Sequence, residues 1–169
     1  MAAKPSIAKT LLLPDEVLIE YASAHAELMI KIFGHVAPVW HAIDGDGNHL
    51  VMQAATGMSK DEAAAAVAAV VEDKRCTRLM FTDEAWSARD EAGLAWVARH
   101  GSLHDYPGRI EIVTIQLENI DGSRLAGERR IIREDGQKPR LGPLEIVKAT
   151  YSVGRFVGLL PHGKGETRQ

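Results

Sequence analysis

Cysteine is almost missing from this chain. Cys76 is the single one in 169 residues, so no internal disulfide can form, and a reducing, cytoplasmic setting is expected. Aromatic residues make up only 5%. No apolar run approaches the ~18 residues of a membrane-spanning helix. Near the start, Lys4 and Lys9 precede an apolar stretch of only Leu11, Leu12 and Leu13, too short for a signal peptide, so no membrane partner is expected. What is present is ordinary: 46% hydrophobic and 25% charged residues with a net charge of −3. That balance excludes a disordered chain, a collagen-like chain and a disulfide scaffold. The length suits one domain over 13–160, with a loose arm at 1–12 and a polar tail at 161–169.

Signature motifs are missing too. There is no Gly-Lys-Ser/Thr phosphate loop, no G-x-G-x-x-G ahead of a helix and no G-x-S-x-G elbow. One cysteine without a partner motif excludes the usual zinc-finger spacings. Asp44-Gly45-Asp46-Gly47-Asn48 imitates the start of a calcium loop, but His49 stands where the loop needs glycine and Ala55 where it needs glutamate. Turn chemistry accounts for those five residues. No cofactor is expected.

The charge is unevenly spread. Residues 1–121 carry 10 basic and 18 acidic side chains, and 122–169 carry 10 and 5. Such a basic third either meets an acidic partner or packs on the acidic part of its own chain, and the second is the simpler expectation.

Periodicity supplies the elements. Val17, Leu18, Tyr21, His25, Leu28, Met29 and Ile32 recur at helical steps between Pro14 and Gly34. His25, on that face, is expected to be half-buried and hydrogen-bonded. Strand-like segments at 37–43 and 49–55 flank the Asp-Gly turn and predict a hairpin. Ser59-Lys60-Asp61-Glu62 is a capping box opening a second helix to about Lys74. Residues 78–82 read as a short strand and 88–100 as a third helix ending at Gly101. Residues 109–118 and 124–133 form a strand pair. Ile110 and Ile112 are out of phase with Val113, Ile115 and Leu117, so either both faces are covered or a bulge intervenes. Residues 141–160 should supply short strand or loop pieces. The order α-β-β-α-β-α-β-β predicts an α+β fold: a two-layer domain, mainly antiparallel, with two or three helices on one face. It is the order of small profilin- or roadblock-like binding folds, an analogy that implies no function.

Candidate chemistry collects in two places. If the segment ending at Trp86 pairs antiparallel with the one beginning near Arg109, then Glu84, Arg109 and Glu111 share a face beside Trp86 and Tyr106. That set would be a ligand or partner site, or an ion network fixing register. His100, His104 and Asp105, with Glu84 or His41, are the only metal-like set, although Gly101 and Ser102 interrupt the helix between the histidines. Cys76 lacks a neighbouring histidine and is expected to be a small buried hydrophobe.

Phe-Thr-Asp-Glu84-Ala85-Trp86, followed by Tyr-Pro107-Gly-Arg109-Ile-Glu111 and a later Pro-Arg-Leu-Gly-Pro-Leu-Glu run, is similar to a family of uncharacterised bacterial and phage proteins with Glu-Ala-Trp and Pro-x-Arg-x-Glu motifs. The resemblance spans roughly residues 35–145. It implies an α+β fold and no activity.

With no motif at catalytic spacing, the sequence is read first as a non-catalytic module of protein association, self-associating as a homodimer through the edge of the 109–133 strand pair. The alternative is a metal-dependent hydrolase using His100, His104, Asp105 and Glu84. A further alternative is a nucleic-acid binder using Arg124, Arg129, Arg130, Arg133, Lys138 and Arg140. The acidic remainder argues against nucleic acid, and so does the scarcity of rings for base stacking, with only Tyr151 and Phe156 in the basic third.

Overall fold

Helix α1 (Asp15–Phe33) starts directly after Pro14, carries Asp15 and Glu16 at its positive end, and stops at Gly34. Gly34 lies at φ 79, and its N–H donates to the Ile30 carbonyl. The computed structural model describes residues 13–147 and 158–161. The expected arm at 1–12 lies outside the described residues, as do 148–157 and 162–169.

The hairpin is β1 (Val39–Ile43) and β2 (His49–Gln53). At its turn the Asp44 carboxylate accepts from the backbone of Asp46 and Asn48 and from the Asn48 side chain. Helix α2 (Lys60–Asp73) has the expected capping box: Ser59 accepts from the Glu62 N–H, and Glu62 accepts from the Ser59 N–H. Strand β3 (Arg78–Ser87) is ten residues long, twice the expected span. It continues through Asp83 and Glu84 because every residue of it pairs with β4 (Ile110–Asn119). Between them stands α3 (Glu91–His100), capped by Asp90 and stopped by Gly101. Strand β5 (Arg124–Ile132) follows β4, and β6 (Arg140–Leu141) and β7 (Glu145–Val147) both pair with β5.

All pairings are antiparallel, in the order β2-β1-β3-β4-β5-β6, with β7 also on β5. The α+β class and the element order are those expected. No bulge interrupts the β4 register: Val113, Ile115 and Leu117 are buried on one face and Ile112 on the other.

The helices do not share one face. Val39 and Ile43 of β1 join α1 in one core, with Met80, Val113, Ile115, Leu117 and Ile131. The alternate residues Trp40 and Ala42 join Ala63, Val67 and Val71 of α2 in another, with Leu79, Phe81 and Cys76. Successive strand residues point to opposite faces, so α1 and α2 cover opposite sides of the sheet. A second expectation also changes. The outer edge of β5 is occupied by β6 and β7, so the 109–133 pair offers no long free edge. At the other end of the sheet, β2 has no further strand beside it among the described residues.

Candidate functional site

The strand pairing expected at Trp86 is present: Trp86 lies opposite Glu111, and Glu84 opposite Val113. Glu84, Trp86 and Glu111 therefore share the α1 face. The guanidinium between the two acids, however, is not Arg109. Arg133 donates through Nε and Nη2 to both oxygens of Glu111, at 2.7 and 2.9 Å. It also lies 3.8 Å from Glu84 and reaches the Gly34 carbonyl from Nη1 at 3.5 Å. Glu84 accepts from the Val36 N–H at 2.7 Å. Arg109 instead lies over the Trp86 ring, 4.5 Å from its centroid, and donates to the His104 carbonyl. Tyr106 leaves the set altogether and donates to Asp90. That contact raises the phenol's pKa and lowers the carboxyl's. The Glu84–Arg133–Glu111 network ties the chain after α1 to β3, β4 and the end of β5. Arg133 commits Nε, Nη1 and Nη2 to protein acceptors, so the set reads as a structural clamp.

The metal-like residues do not assemble. His100 is bonded to the Trp96 carbonyl and stacked on the Trp96 ring. His104 and Asp105 are 75% and 85% exposed. Among the described residues no three His, Cys, Asp or Glu side chains are grouped to hold an ion. Cys76 is buried, which raises its thiol pKa. The basic third largely meets the chain's own acids: Arg124 pairs with Glu118, Arg129 with Glu27, Arg133 with Glu111 and Arg140 with Glu134. Lys31 and Arg129 together hold Glu27 down to about 2. Among the described residues no helix is long and apolar enough to cross a membrane.

Two features are not legible in the sequence pattern. The first is a chain of three imidazoles. Nδ1 of His25 lies 2.9 Å from Nε2 of His41, and Nδ1 of His41 lies 3.0 Å from Nε2 of His49. His25 is half-buried and hydrogen-bonded as expected, but helical spacing does not identify its partners. They come from the hairpin, where 41 and 49 share parity and hence a face. His41 gives one nitrogen to each neighbour, so the ring nitrogens do not converge as ligands of one metal would. Burial, then His49 and His25, push His41 down to about 4. Tyr21 stands edge-on to both His41 and His49.

The second feature is on α1. Of its periodic apolar residues, Leu18 and Met29 are buried, while Val17, Tyr21, Leu28 and Ile32 are 39–58% exposed. At 100° per residue, positions 17, 21, 24, 28 and 32 fall within about 80° of arc. The helix thus carries a second apolar stripe, turned away from its own core. Beside it a groove of about 500 Å3 is lined by His25, Met29, Phe33, Val39, Val51 and Gln53, among others. Comparison with protein-family models, with curated proteins and with solved structures finds no match.

Proposed function

We propose that the protein is a self-association module whose partner is a second copy of the same chain, docked through α1. The observation that carries this reading is the symmetry of the exposed stripe. Val17 and Ile32 are equally far from a point between residues 24 and 25, as are Tyr21 and Leu28; that point lies half a residue from the helix midpoint, beside the small Ala24. A twofold interface needs a self-complementary patch. Two antiparallel copies of α1 place Val17 against Ile32 and Tyr21 against Leu28, twice over. The flanking charges agree. Glu16 and Glu20 lie near one end and Lys31 near the other, on the same flank by helical angle. Antiparallel packing brings Lys31 of each copy toward the acidic end of the other. A single large ring, Tyr21, lies inside the stripe as an anchor.

Sedimentation equilibrium at micromolar concentrations tests this. The wild type is expected to be a dimer, and Leu28→Asp with Ile32→Asp a monomer of unchanged circular dichroism. A wild-type monomer at every concentration would overturn the reading. It would leave the stripe to a different protein, or to part of this chain outside the described residues.

A further inference from the structure

We infer that the second copy also joins the sheet, pairing its β2 antiparallel with β2 of the first so that one sheet runs through both subunits. This rests on the α1 pairing proposed above and adds a second, separable surface to it. The backbone of β2 is poised for the purpose. The Asp44 N–H donates to the Asn48 carbonyl. Hydrogen-bonded and non-bonded pairs alternate in an antiparallel ladder. The 42–50 and 40–52 pairs are therefore the bonded ones, and His49, Val51 and Gln53 turn their N–H and C=O groups outward. Ile43, opposite His49, agrees: its carbonyl accepts from Thr77 on the β3 side.

Monomeric proteins guard such an edge with lysine, proline, a bulge or brevity. Here the sequence His49-Leu50-Val51-Met52-Gln53 has no charged residue and no proline, and its register with β1 is unbroken. The opposite edge is guarded: β6 and β7 are two and three residues long, and carry Arg140 and Glu145.

The two surfaces share one axis. His25, on the flank of the α1 stripe that faces the sheet, bonds His41, and His41 is the cross-strand partner of Val51. Val51 is the central residue of β2. A twofold axis beside Val51 and normal to the sheet pairs the two β2 strands and sets the two α1 helices on the same face of the joined sheet. Val51 then faces Val51 of the other copy, and His49 faces Gln53. Each of these pairs exchanges two backbone hydrogen bonds. The end of each imidazole chain would meet a carboxamide across the axis.

Two variants decide. Cys76 is the only native cysteine and is buried, so Val51→Cys adds a lone exposed thiol. Opposed residues in a bonded pair have Cα atoms about 5.5 Å apart, inside the disulfide range. Under mild oxidation Val51→Cys is expected to cross-link to a dimer, while Gln137→Cys, in an exposed turn, does not. Val51→Pro removes an N–H that the monomer does not use and is expected to raise the dimer dissociation constant at least tenfold. Should Val51→Pro fail to fold, the cross-link alone decides. If the wild type is dimeric and Leu28→Asp dissociates it, but Val51→Cys does not cross-link above the control, the shared sheet is overturned while the helix pairing stands. A monomeric wild type overturns both.

Discussion

His41 links the fold's stability to pH. It is 1% exposed, it is bonded at both nitrogens, and its pKa in the fold is about 4. In the unfolded chain a histidine titrates near 6.5. Between those values the unfolded state binds the proton first, so the His41 contribution to stability falls as pH drops from about 6.5 to about 4, while Asp83, raised to about 6 by burial, binds its proton first in the fold and contributes in the opposite sense. A shift of the size seen at His41 is worth about 3 kcal/mol. Between pH 7.5 and pH 4.5, urea melts of His41→Phe should therefore show less loss of stability, or more gain, than those of the wild type, even though the variant is less stable at pH 7.5. A comparable test separates the two arginines of the strand-end set. Arg133→Ala leaves Glu111 and Glu84 without their counter-charge and should cost about 1–3 kcal/mol. Arg109→Ala loses a contact over an exposed ring and should cost under ~1 kcal/mol. Sequence parity alone puts Glu84, Trp86, Arg109 and Glu111 on one face. It could not select Arg133, because that choice depends on the β4–β5 register and on where the chain leaves α1.

At the scale of elements, α1 sits against β5 where a side chain is missing. A Cβ built on Gly127 would lie 2.6 Å from Cγ2 of Ile19, which is fully buried and cannot withdraw. Gly127→Ala should push α1 off the sheet at a cost of about 1–3 kcal/mol, visible as a lower thermal midpoint; Gly142→Ala, with no neighbour nearer than 3.5 Å, should be far milder. Local signals explain why the element order was legible: the Ser59 box, the Gly34 and Gly101 stops and the Asp44 turn each act within a few residues. What was not legible is which apolar residues find a partner. Periodicity groups Val17 with Leu18 and Leu28 with Met29, yet one of each couple is buried and the other exposed. Likewise β1 is buried at all five positions, so it has no alternation to reveal that its two sides meet different helices.

At the scale of the whole molecule, the surface divides in two. The β5 side is closed by short charged strands and by arginines paired with the chain's own acids. The α1–β2 side is apolar and open, and in the proposed dimer the few charges that border it orient the second copy. Lys31 bonds Glu27 within its own helix at 2.9 Å, and across the proposed axis it approaches Glu16 and Glu20. Lys31→Glu should therefore weaken the dimer twice over, once for each symmetric contact. Exposed contacts of this kind are worth about 0.2–1 kcal/mol each, and reversing the sign replaces attraction with repulsion. The dissociation constant should rise about tenfold by analytical ultracentrifugation at low salt, and the difference should shrink toward 1 M salt as screening shortens the reach of each charge. The repulsion that this substitution creates against Glu27 within the helix is present in monomer and dimer alike, so it lowers the melting point without shifting the association. Adding Glu16→Lys and Glu20→Lys to Lys31→Glu restores opposite signs across the axis and should recover the wild-type constant. In a parallel helix pair Lys31 would meet Lys31, so charge reversal at that position alone would leave two like charges facing each other and the dimer unchanged, which tells the two orientations apart.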